Sequence, residues 1–261
     1  ILSGLVGSEM CIRDSSQGVP VIACDCFVCQ SKDPKDNRTR TSAMIHIKGE
    51  NHVIDSGPDF RCQMLREKVK TLKSVVFTHE HKDHIAGLDD IRAFNFKEKR
   101  DMNVYASNRV REALMREYQY IFADVKYPGV PKINLSVIDN TSFEIDKDIS
   151  ITPIEVMHYK LPVFGFRIGD LSYITDAKTI SKKEKQKIAG SNIIVLNALR
   201  KEPHISHFNL DEALDFIKEM KPNKAYLTHI SHLFGTHAEI EKELPKNVFV
   251  AYDGLKLDFT Y

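Results

Sequence analysis

The heptapeptide Thr-His-Glu-His-Lys-Asp-His, residues 78–84, holds three histidines and an aspartate. Imidazoles and a carboxylate at this density are ligands for divalent metal ions. In an extended chain, residues two apart point the same way, so His79 and His81 grip one ion from a strand end. Asp83 and His84 follow where the chain turns into a helix, facing a second ion. Four ligands are too many for one open catalytic ion and too few for two. The rest are expected at other strand ends, where loops hold functional groups on rigid scaffolding. His158 ends the strand ITPIEVMH, Asp176 ends LSYITD and His229 ends KAYLTH. The expected sets are His79, His81 and His158 on one ion and Asp83, His84 and His229 on the other, with Asp176 between.

A second cluster lies in CDCFVC. Cys24, Cys26 and Cys29 have the C-x-C-x-x-C spacing of a structural zinc, which takes four soft ligands and leaves no open position. The fourth ligand is expected to be His232, three residues after His229 in THISH. Cys62, in the helical stretch DFRCQML, is assigned to the core instead. Such a zinc would pin the loop that carries His229.

The elements that must position these groups follow from period-2 and helical spacing. Ser42–Lys48 and His52–Ser56 form a hairpin turned at Gly49 and Glu50. Residues 73–78 are a short buried strand running into the histidine motif, with helical stretches at 60–69 and 86–96. A strand at 103–106 leads into a long helix over 107–122. Strands follow near 133–138, 149–157, 163–168, 171–175, 192–197, 224–228, 247–252 and 255–260. Ser181-x-x-Glu184 and Asn209-x-x-Glu212 start two helices. Two mixed halves of strands and helices predict sheets packed face to face with helices outside.

Lys and Arg total 37 against 36 Asp and Glu, which gives a net charge of +1 and no footprint for nucleic acid or an acidic membrane. No apolar run approaches the ~20 residues of a membrane helix. The five cysteines are too few and too clustered for a disulfide framework, so a cytoplasmic location is expected. The string LVGSEMCIRDS resembles translated sequencing-adapter read-through. Residues 1–14, with Cys11, are therefore set aside as non-native, and the expected domain is 15–261, lacking its first strand.

With these residues in order, the chain resembles the metallo-β-lactamase superfamily of dinuclear hydrolases. Within it, Ser16-Gln17-Gly18-Val19-Pro20 before the cysteines, DSGPDFR at 55–61, HIAGLDDIR at 84–92 and PHISHFNLDEAL at 203–214 resemble the phosphoribosyl 1,2-cyclic phosphate phosphodiesterase branch. The resemblance implies an αββα fold, two divalent ions (zinc or manganese) beside one structural zinc, and Asp55 supporting the ligand histidines. It implies a small cyclic phosphodiester as substrate, attacked by a hydroxide held between the ions, and a homodimer. It also implies His207 as general acid, with His204 as the alternative. Arg38 and Arg40 could touch a phosphate.

Other members of the superfamily share the ligands. A transfer-RNA 3′-processing nuclease would need a basic arm, which residues 107–150 do not offer. A glyoxalase-type thioesterase shares the histidine motif but not the cysteine cluster. A β-lactamase would carry an export signal, and a non-catalytic metal scaffold usually loses ligands.

Overall fold

A computed structural model describes residues 8–13 and 15–261. Its strands are β1 (Ser8–Arg13), β2 (Ser42–Ile47), β3 (Glu50–Ile54), β4 (Ser74–Val76), β5 (Met102–Ala106), β6 (Ile133–Val137), β7 (Phe143–Asp146), β8 (Ile149–His158), β9 (Leu161–Ile168), β10 (Leu171–Ile174), β11 (Thr179–Ile180), β12 (Ile193–Asn197), β13 (Lys224–Thr228), β14 (Val248–Val250) and β15 (Leu255–Phe259). The α-helices are α1 (Phe60–Arg66), α2 (Lys82–Ile85), α3 (Arg92–Glu98), α4 (Asn108–Glu117), α5 (Gln119–Phe122), α6 (Lys182–Ile188), α7 (Leu210–Met220) and α8 (His237–Glu243).

Two mixed sheets result. One has the order β15-β1-β2-β3-β4-β5-β6, and the other runs β11-β8-β9-β10-β12-β13-β14 with β7 paired to β8. In the first, β2 and β3 are an antiparallel hairpin, and β3 through β6 pair in parallel. The hairpin turns at Lys48 and Gly49, both with positive φ, which is the geometry that matches the twist of the flanking strands. In the second sheet, β8, β9 and β10 are antiparallel, and β10, β12, β13 and β14 run in parallel.

The chain divides into two compact units, one built mainly on Ser42–Asp139 and the other on Ile12–Thr41 with Asn140–Leu255. In the first, Val53, Val75 and Val104 from the strands meet Phe60, Leu88, Phe94 and Leu114 from the helical side. In the second, Ile194, Leu196 and Leu227 meet Ile188, Phe216 and Ile240. Among the described residues, no helix is long and apolar enough to cross a membrane.

Several expectations shift in detail. The stretch 107–122 breaks at Tyr118, whose backbone leaves helical geometry while its hydroxyl donates to the Ile85 carbonyl at 2.7 Å. Tertiary anchoring there overrides the helical pattern. Ser181 caps α6, but the Glu184 carboxylate turns away to Glu155 N and Asn140; the reciprocal capping box is Asn209–Glu212 on α7. Within the segment set aside at the N-terminus, Ser8–Arg13 forms β1 between β15 and β2, with Met10, Cys11 and Ile12 buried. Cys62 is exposed rather than in the core, because Phe60, Gln63 and Met64 form the buried face of α1.

Candidate metal centres

In the first unit the histidine motif starts two residues after β4. Thr78 and Asp55 fix its ring orientations. Thr78 donates its backbone N–H to Asp55 Oδ1 (2.8 Å) and its hydroxyl to Asp55 Oδ2 (2.7 Å). The hydroxyl oxygen then accepts from His79 Nδ1 at 2.9 Å, and His84 Nδ1 donates to Asp55 Oδ2 at 2.7 Å. Both rings thereby keep their Nδ1 protons and turn Nε2 outward as the atom able to coordinate a metal. His79 Nε2 lies 3.1 Å from His81 Nδ1. Two nitrogens on one zinc, each at about 2.0–2.1 Å, stand roughly 3.3 Å apart across a tetrahedral angle, so the pair has the bite for a single ion. His84 Nε2 and Asp83 Oδ2, 3.4 Å apart, form a second pair.

Asp55 is fully buried, and burial pushes its carboxyl above the usual range against the pull of His84 and Thr78. Its φ is 62°, a left-handed conformation uncommon outside glycine. Gly87, just past α2, donates its N–H to Ser56 O at 2.7 Å, and a Cβ there would stand 2.2 Å from Gly57 O. Only glycine lets the Asp55 loop approach α2 this closely. Asp55→Asn keeps the shape but removes the charge that holds His84. It should weaken metal binding by about 10–100-fold, read by competition with a chelating dye, with the fold intact by circular dichroism.

The second unit carries a matching set. His158, the last residue of β8, donates from Nδ1 to Ser206 O at 2.9 Å. His229, the residue after β13, donates from Nδ1 to Thr41 Oγ1 at 2.9 Å, since that hydroxyl gives its own proton to Ser15 O. Asp176, just beyond β10, takes the Thr175 hydroxyl on Oδ2 (2.6 Å) and presents Oδ1 to His207 Nε2 at 3.1 Å and His229 Nε2 at 3.3 Å. Donor atoms of His158, Asp176 and His207 lie within 4.8 Å of one another. Asp176 and His229 both hold left-handed backbone, φ 58° and 59°. Strain of this kind persists where the surroundings over-determine it, often at functional sites.

His207 is buried, with Nδ1 3.0 Å from Ser206 Oγ and 3.1 Å from His204 Nδ1. His204 is half-buried, and burial together with the charges of His207 and Arg200 lowers its pKa. Arg38 is not poised for a phosphate; it is buried and donates from Nη1 to Ala251 O at 2.6 Å.

The cysteine cluster is a further candidate centre. His232 Nδ1 lies 3.2, 3.4 and 3.6 Å from the Sγ atoms of Cys24, Cys26 and Cys29. With Zn–S near 2.3 Å and Zn–N near 2.05 Å, a tetrahedral edge is about 3.6 Å, so the donor set fits one closed zinc. Donation from Cys29 N–H, then His232 and Cys24, lowers the Cys26 thiol to about 6, while burial raises Cys29 to about 11.

The sequence model of the β-lactamase superfamily domain matches residues 50–230. The chain belongs to the β-lactamase superfamily. A solved structure described as a new diphosphatase from the PhnP family is 34% identical, with a TM-score of 0.91 and 97% of each chain covered. The octanoyltransferase of Porphyromonas gingivalis is 36% identical over 245 residues, covering 93% of this chain and 49% of that protein. The ribonuclease Z of Parabacteroides distasonis is 26% identical over 149 residues, covering 54% of this chain and 47% of that protein. The chain spans about half the length of these curated relatives. Its fold is thus the metallo-β-lactamase fold, of the branch resembled in sequence, and its His/Asp groups are compatible with divalent metal.

Proposed function

We propose that this chain is a metal-dependent phosphodiesterase acting on a small cyclic phosphodiester such as 5-phosphoribosyl 1,2-cyclic phosphate. The observation that carries the reading is the contact of His207 Nε2 with Asp176 Oδ1 at 3.1 Å: a buried imidazole not needed as a ligand, held against a carboxylate that is. That is where a general acid must stand to protonate an oxygen leaving a metal-held phosphate. The diphosphatase relative, matched over 97% of both chains, supports phosphorus chemistry.

In this proposal His79, His81 and His158 hold one divalent ion and Asp83, His84 and His229 the other, with Asp176 between and Asp55 orienting His84. Bound zinc or manganese would activate water and take up charge on the phosphoryl oxygens. The protein's own part is to fix the tautomers through Thr78, Thr41 and Ser206, and to deliver the Nε2 proton of His207 to the departing alkoxide. His207 suits this better than His204, because its ring meets His158 at 4.5 Å and Asp176 directly. Cys24, Cys26, Cys29 and His232 hold the structural zinc. A cytoplasmic homodimer with a small-molecule substrate and no nucleic-acid partner completes the proposal.

The test is hydrolysis by protein loaded with zinc or manganese. 5-Phosphoribosyl 1,2-cyclic phosphate and bis(p-nitrophenyl) phosphate are expected to be cleaved. The octanoyltransferase relative makes an octanoyl thioester the informative competitor. Turnover of that thioester with neither phosphodiester touched would replace the reading with thioester hydrolysis.

A further inference from the structure

A groove on the first unit, lined by α1 and α3, takes no part in the ligand sets and stands independently of the hydrolase reading. Its volume is about 410 Å³, within the range of small-ligand pockets. Phe60 and Phe94 meet edge to face in it, ring centroids 6.5 Å apart, and both are buried with Met64 beside them. Leu65 also lines the groove and is 60% exposed. A lone exposed leucine needs no explanation, but one continuous with an apolar cavity does.

The polar lining is one-sided in charge. Arg61, Lys70 and Lys97 face a single carboxylate, Asp90. Among the described residues, the Arg61 guanidinium and the Lys70 ammonium have no hydrogen-bond or ion-pair partner. Lys97 Nζ donates to Lys70 O at 2.6 Å, which holds its charge near the Lys70 backbone. Apolar walls of Phe60, Met64, Leu65, Val69 and Phe94 suit an alkyl chain, and surplus cations ask for an anionic head. At about 30 Å³ per heavy atom, roughly the share of one water, the groove holds on the order of a dozen atoms. A peptide helix, about 10–12 Å across, is too wide for that volume.

We infer that the α1–α3 groove, through Phe60, Met64, Leu65 and Phe94 with Arg61 and Lys70, binds a medium-chain aliphatic carboxylate. The apolar chain supplies the affinity, and the cations choose the head group. Decanoate has the required size.

Titration calorimetry on the full, metal-loaded chain tests this with three ligands of equal chain length: decanoate, decanol and decyltrimethylammonium, all below micellar concentrations. Decanoate should bind at sub-millimolar concentration, decanol at least tenfold more weakly and the cation not measurably. Arg61→Glu with Lys70→Glu should weaken decanoate at least tenfold and improve the cation. Leu65→Trp, an exposed position whose change should leave the melting temperature alone, should fill the groove and weaken all three. Equal binding of the three head groups, indifference to charge reversal, or no heat with decanoate at 1 mM would each overturn the assignment.

Discussion

Asp176→Asn is expected to leave a folded protein that no longer hydrolyses a phosphodiester above background and has lost its divalent metal outside the cysteine cluster. The carboxylate serves several groups at once: Oδ1 faces His207 Nε2 and His229 Nε2, while Oδ2 takes the Thr175 hydroxyl. Removing its charge leaves imidazoles with no anion between them, and a proposed pair of divalent ions with Asp83 as the one remaining carboxylate among its ligands. Asparagine is the informative replacement. Asp176 sits at φ 58°, which asparagine tolerates, whereas alanine adds roughly 1–2 kcal/mol of backbone strain that has nothing to do with metal. His207→Ala supplies the contrast. It should retain metal while kcat falls by about 10²–10⁴-fold, the usual worth of a general acid. Metal analysis by mass spectrometry beside steady-state kinetics separates the two. An Asp176→Asn protein with full metal content and more than a tenth of the activity would remove Asp176 from the ligand set.

The candidate ligands stand out in the sequence because a metal site needs particular side chains at strand ends, and both signals are local. His79, His81, Asp83 and His84 sit within seven residues, and His158, Asp176 and His229 each end an apolar run. The groups that fix their tautomers carry no local signal. Thr41 is 188 positions from His229 and Ser206 is 48 from His158, and any threonine or backbone carbonyl could serve if the fold delivered it. The same distinction explains the misread residues. Arg38 follows a run of charged and polar residues and reads as surface, yet the pairing of its backbone with Val19 draws its side chain into the interior. Cys62 lies between buried Phe60 and Gln63 on α1, where a small rotation decides its exposure. Gly87 could be suspected as a helix terminator, but its close approach to Gly57 O appears only in three dimensions.

Cys26→Ser should cost the chain one zinc, lower its melting temperature by roughly 10 °C, and reduce turnover although position 26 touches no substrate. From Gly18 to Gln30 the loop has little else to hold it; further along, buried Asp36 accepts from the His237 N–H at 2.7 Å. The loop's neck is closed by the backbone pair of Val19 with Arg38, 2.8 Å in both directions. Beyond that, Val28 is buried, while Ile22 is 92% and Phe27 64% exposed. A segment that buries so little apolar surface cannot offset its ordering entropy by packing, so the Cys24–Cys26–Cys29–His232 cage must supply the difference. Structural zinc is worth about 10–16 kcal/mol in isolated small domains. In a chain with two apolar cores only a few kcal/mol of that should register globally, at roughly 2–4 °C per kcal/mol for this size. Cys26 is the position to change, because its Sγ meets both His232 Nδ1 at 3.4 Å and the Cys29 N–H at 3.5 Å. The loss should reach the hydrolytic centre through the chain itself, since His232 follows His229 by three residues and Thr41, just past the loop, accepts from His229 Nδ1. Exposed Cys62→Ser is the control and should change neither zinc content nor melting. If Cys26→Ser releases zinc but keeps full activity, the cage stabilises its own loop alone and His229 is held by Thr41 and Thr175.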